Sequence, residues 1–100
     1  VIEFPMPSAV ERRKLWNRAI PRYAPRAADL DIDKLADQFL LAGGSIVNSA
    51  INACIIASSR RQPVGMAHAV EAIARELVKM GKQVSRVYFG EYYEFVKNLY

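Results

Sequence analysis

The chain has almost none of the side chains that most often do chemistry. Its 100 residues include one histidine, His68, and one cysteine, Cys54. A lone cysteine excludes an internal disulfide and is compatible with a reducing, cytoplasmic setting. No cluster of cysteine, histidine and carboxylate has metal-site spacing, so no metal ligand is assigned. Neither GxxxxGK[ST] nor GxGxxG occurs, so nothing here cradles a triphosphate unaided. No basic segment leads into an apolar one at the N-terminus, so no signal peptide is expected. No apolar run approaches the roughly 20 residues that span a bilayer, so no membrane contact is expected. Internal repeats and low-complexity segments are lacking. His68 reads as a surface or partner-packing residue. Cys54 reads as a buried, inert thiol, since a nucleophile needs an electropositive, accessible site. Asp29, Asp31 and Asp33 read as helix-start signals, and no catalytic residue is assigned.

What is there suits one small domain with a real core. Fourteen basic and ten acidic side chains leave a net charge of +4. That mild excess permits an anionic partner and demands none. The longest stretch without charge is Gln38 to Ser59. It breaks at Gly43-Gly44 and restarts at Ser45, which is expected to cap a helix. Beyond it, Ile46, Ala50, Ala53 and Ala57 recur at helical spacing, with Val47, Ile51, Cys54 and Ile55 beside them. A helix apolar around most of its girth is expected at the centre of a bundle.

The other elements follow from local signals. Val1 to Pro7, with two prolines, predicts an extended arm. Ser8 and Glu11 form a capping-box pattern for a helix that stops before Pro21. Leu15, Trp16, Ala19 and Ile20 should face inward, and Arg12, Arg13, Lys14 and Arg18 outward. After a proline loop, Asp31 or Asp33 caps a second helix, which buries Ile32, Leu35, Ala36 and Phe39 and ends at the glycine pair. A fourth helix runs from about Met66 to Met80 and ends at Gly81. Val70, Ile73, Ala74 and Leu77 are its core stripe, and Glu71 and Arg75 pair on its outside. Lys82 to Gly90 is a connection. Glu91 to Tyr100, with Tyr92, Phe95, Val96 and Leu99 at helical spacing, predicts a fifth helix folding back. The fold class is all-α: a four-helix bundle with an N-terminal arm and a fifth C-terminal helix.

The order of these features resembles the small α-helical lid subdomain of AAA+ ATPases. The resemblance rests on an IEFP strand end, Leu15-Trp16 in a helix with Arg12, LDIDKLADQF, Gly-Gly-Ser-Ile, and His68-x-x-x-Ala72-x-x-x-Glu76. It covers roughly Phe4 to Lys82. It divides the chain into an arm ending a larger subdomain (1–7), the lid-like bundle (8–82) and an extension (83–100). Within the family, GGxIxN, PxGMxH and AxxRELxKxG resemble bacterial members associated with contractile phage-tail-like injection systems.

The resemblance implies ATP as ligand, with magnesium held by the parent protein and not by these residues. It places Leu15, Ala19, Gly43, Gly44 and Val47 against the adenine. It implies two partners: the large subdomain of the same polypeptide and neighbouring subunits of a ring such as a hexamer. The parent protein would be the ATP hydrolase, and the fragment alone would not. Many lids carry an arginine where this chain has Val47, so γ-phosphate sensing is not expected here. Two other readings compete. One is a nucleic-acid-binding module using Arg12, Arg13, Lys14, Arg18, Arg60 and Arg61, ranked behind because acids are interleaved with these bases, with Trp16 and the tyrosines read as core and interface filler. The other is a protein-interaction bundle docking through its aromatic tail.

Overall fold

The chain is seen in a computed structural model that describes residues 6–99. Four main helices are formed: α1 (Ala9–Ala19), α2 (Ile32–Gln38), α3 (Gly43–Ser59) and α4 (Met66–Lys79). Two single-turn helices follow, α5 (Arg86–Phe89) and α6 (Tyr93–Val96), with 3₁₀ turns at Gly90–Tyr92 and Lys97–Leu99. The described residues hold no strand, only an isolated parallel bridge between Arg26 and Val64. The fold is all-α, as the sequence predicts. Most of the predicted arm, residues 1–5, lies outside the described residues, as does Tyr100. No helix among the described residues is long and apolar enough to cross a membrane.

α1 begins where its capping box places it. The Glu11 N–H donates to the Ser8 hydroxyl at 3.2 Å, and the Ser8 N–H donates back to Glu11 at 3.0 Å. That backbone donor, then the hydroxyl, hold the Glu11 carboxyl below the usual range. The carboxylate is favoured in the fold, so its contribution is complete above the ordinary carboxylate range and is lost as pH falls through the lowered value. Ser8→Ala is expected to cost about 1 kcal/mol in urea denaturation. Glu11→Gln is expected to flatten the acid limb of stability against pH.

α2 is capped by Asp31, whose carboxylate accepts from the Lys34 N–H. It ends at Gln38, short of the glycines. Phe39 to Ala42 is non-helical: Phe39 and Leu41 are buried and Leu40 points out. α3 therefore starts at Gly43, with Ala42 at its N-cap, and the glycine pair lies inside its first turn. Ser45 is not the cap. It is the third helical residue, and its hydroxyl lies 3.6 Å from the Met80 sulfur.

The centre of the bundle is α4. It buries Met66, His68, Ala69, Val70, Glu71, Ala72, Ile73, Ala74, Glu76 and Leu77. α3 packs most extensively on α4, then on α1, while α2 packs on α1. α3 is thus covered on one side only. Ile46, Ala50, Ala53 and Ala57 are buried as expected, but Ile51 and Ile55 are exposed. Small alanines on the inner stripes of both helices let the backbones approach; Ile46 and Ile56 fill the core beside them, and Ile51 and Ile55 on the opposite side face out.

Three groups expected outside are inside. Arg12 is buried; its Nε donates to the Ala36 carbonyl at 2.6 Å and a terminal nitrogen donates to the Pro7 carbonyl at 2.7 Å. Ala36 is in the last turn of α2, whose carbonyls lack helical partners and end the dipole negatively. Arg12 therefore closes α2 from a different helix. Glu71 does pair with Arg75, but its carboxylate is 1% exposed. It also pairs with Arg60, just past α3. His68 is buried too: its Nδ1 accepts from the Gly65 N–H at 2.9 Å, and its Nε2 lies 2.9 Å from the Gln62 amide oxygen. With Nδ1 accepting, Nε2–H is the donor to Gln62, and the His68 side chain caps the start of α4.

The C-terminal segment turns helical earlier than predicted. Ser85 caps α5, and Phe89 is fully buried. Gly90 then takes φ +55° and ψ −124°, which side-chain-bearing residues avoid, and breaks the helix. Val96 is buried, Tyr92 is half-buried and Phe95 is 41% exposed. The predicted single helix is thus a string of short turns beginning at Arg86.

Candidate functional site

Two of the residues assigned to a nucleotide face meet directly. A Cβ built on Gly43 would lie 3.5 Å from the Leu15 Cδ1, so the start of α3 sits on the second half of α1. Ala19 follows Leu15, and Val47 follows Gly43, by one helical turn, so each lies on the same side of its helix as its predecessor. Leu15, Ala19, Gly43 and Val47 are all half-buried at this seam, and Gly44 is exposed. Nothing stands within 4 Å of a Cβ built on Gly44.

The electrostatics of the seam come from the backbone. Ala42 has no side-chain acceptor to cap α3. The first-turn amides of Gly43, Gly44 and Ser45 point out of a 17-residue helix without that cap. Such an end favours a partial or full negative charge. Val47, one turn into α3, brings no side-chain cation to this end of the helix.

Sequence reasoning missed a neighbouring cleft of about 370 Å³, which touches the same first turn through Ala42 and Ser45. Leu41, Leu77, Met80 and Tyr88 also line it. The only sequence signal was apolar residues left over at element ends. Two further clefts share no residue with the seam. One, about 510 Å³, lies between the proline loop and the end of α3 and is lined in part by Pro21, Tyr23, Pro25, Cys54 and Arg61. The other, about 420 Å³, runs along the outer face of α1.

Cys54 is half-buried rather than fully so, and burial pushes its thiol up despite the opposing charge of Arg26. A thiol held protonated is a poor nucleophile. His68 is spent on capping α4. Among the described residues no three His, Cys, Asp or Glu side chains group to hold a metal. No family model, curated protein or solved structure matches the chain.

Proposed function

We propose that this chain is the lid subdomain of a AAA+ ATPase. It closes over the adenine of ATP held by a large subdomain and passes hydrolysis to neighbouring ring subunits as a rigid-body rotation. The order of sequence motifs supports the family. The observation that carries the site is the contact of Leu15 with Gly43 beside an uncapped helix start. It offers a dry apolar face for a planar base, with backbone amides within reach of a polar edge. Leu15, Ala19, Gly43, Gly44 and Val47 bind the base. Phosphates, magnesium and the hydrolytic water are the work of the large subdomain, so the lid positions and does not cleave.

The chain alone is expected to bind ATP only at about millimolar dissociation constant, since the phosphate-binding parts are elsewhere. Titration of ATP into isotope-labelled protein should shift the amide signals of Leu15, Ala19, Gly43, Gly44 and Val47. Gly44→Trp has open space for its side chain, so its melting temperature should hold while those shifts vanish. In a AAA+ protein carrying this lid, the same substitution should reduce ATP turnover at least tenfold. Shifts scattered over the surface, or normal turnover in Gly44→Trp, would remove the lid reading.

A further inference from the structure

The positive charge of this protein is concentrated in one place. Between Ser8 and Ala28 there are six basic residues and a single acid, Glu11, although the whole chain carries only +4. Arg12 is internal, and Arg13 pairs with Asp33 at 2.6 Å. Among the described residues, Lys14, Arg18, Arg22, Arg26 and Arg61 have no carboxylate within ion-pair distance. Lys14 has only the diffuse attraction of Glu11, one turn before it.

The fold then shapes these charges. Arg13, Lys14, Asn17, Arg18, Ile20 and Arg22 line a groove of about 420 Å³ with no acid in its walls. Lys14 and Arg18 are one turn apart on α1, and Arg22 continues their line beyond Pro21. Arg26 comes back to the end of α1, where its guanidinium donates to the Asn17 side chain at 3.0 Å and to the Asn17 carbonyl at 3.2 Å. The loop is pinned again by the Ala27 N–H on the Val64 carbonyl at 2.8 Å and the Val64 N–H on the Pro25 carbonyl at 2.9 Å. The basic surface is therefore set before any ligand arrives, which lowers the entropy lost on binding.

Two further features adjoin the groove. Tyr23 is 89% exposed, so its ring takes no part in the core. It stands between Arg22 and the apolar cleft of about 510 Å³. Across that cleft is Arg61, held at φ +55°, where glycine is ordinarily found. That conformation belongs to the helix-ending turn after α3, in which the Arg61 N–H donates to the Ser58 carbonyl and the Gln62 N–H to the Ala57 carbonyl.

We propose that this face binds single-stranded nucleic acid. Lys14, Arg18 and Arg22 hold successive phosphates along the groove. Tyr23 stacks on a base at the cleft mouth, and Arg61 closes on the next phosphate. The preference for arginine suits forked contact with phosphate oxygens. An acidic peptide would use the charges but would leave an exposed aromatic ring beside an apolar cleft without a function, whereas stacking on bases uses both. This surface is separate from the Leu15 and Gly43 seam, so it stands or falls apart from the lid reading.

The test is fluorescence anisotropy with labelled dT20 and U20 at 50 mM NaCl, with poly-glutamate as a competitor. Saturable binding is expected. With about four phosphates engaged, the log-log salt slope should be near −3, or roughly a 50-fold loss of affinity between 50 and 200 mM. Arg18→Ala with Arg22→Ala should weaken binding at least tenfold and flatten the slope. Tyr23→Ala should weaken it about tenfold with the slope unchanged, because stacking releases no ions. Lys97→Ala, on the C-terminal segment, should behave as the parent. No binding at 50 mM, binding indifferent to the paired arginine substitutions, a Tyr23→Ala variant that binds as the parent does, or equal competition by poly-glutamate would overturn the proposal.

Discussion

Truncating Phe89 to alanine is expected to destabilise the fold by about 3–5 kcal/mol. Phe89 is fully buried, with its ring 5.4 Å from that of Phe39 and 5.6 Å from that of Tyr88. Phe39 and Tyr88 are themselves 5.4 Å apart at 64°, so the three rings form one edge-to-face cluster. The backbone is held as well. The Gln38 amide donates to the Phe89 carbonyl at 2.9 Å, and Lys34 on α2 pairs with Glu91. Removing the ring leaves a cavity that these fixed neighbours cannot fill. The loss would be a large share of the 5–15 kcal/mol available to such a domain. Val87, two residues earlier, is 96% exposed, and Val87→Ala should stay within about 0.5 kcal/mol. Urea midpoints for the two variants decide the matter. A Phe89→Ala loss close to that of Val87→Ala would mean that the C-terminal segment is an appendage, not a wall of the core.

That segment also marks where sequence reading stops. Ser8 with Glu11, Asp31, Pro21 and Gly81 bound their helices correctly because each acts within a few residues of itself. Gly81 takes φ +78° just past α4, as a helix-ending glycine does. The errors have non-local causes. Phe39 and Leu41 are drawn into the core by the aromatic cluster and by α4, which holds the chain extended to Ala42 and pushes the start of α3 onto the glycines. Arg12 finds its acceptor 24 residues away and Glu71 its second arginine 11 residues back. Neither spacing is a helical one, so both looked like solvent charges. Within the candidate site, periodicity could place Leu15 and Gly43 on their helices but not against each other. The basic surface was visible as composition. What gathers it is the Arg26 clamp on Asn17, a contact with no local signature. The exposure of Tyr23 was equally hidden, since a tyrosine among prolines reads as filler.

The second large effect concerns the charge buried between α3 and α4, and its sign depends on which partner is removed. Arg60→Ala with Arg75→Ala is expected to cost about 3 kcal/mol, because a buried carboxylate is left without a counter-ion. Glu71→Met with both arginines kept is expected to cost under about 1 kcal/mol. Arg60 and Arg75 are about half exposed, so water can take them over, and methionine fills most of the volume with no charge to bury. The triple variant, Arg60→Ala, Glu71→Met and Arg75→Ala, should then recover most of what the double lost. Arg60 sits at the C-cap of α3 and Glu71 near the middle of α4, so the Arg60 pair, unlike the Arg75 pair within α4, fixes the relative setting of the two helices more than it adds to stability. Urea denaturation of the three variants measures this. If Glu71→Met alone were as damaging as the arginine pair, or if the triple variant were no better than the double, the carboxylate would be contributing net stability and the desolvation argument would be wrong.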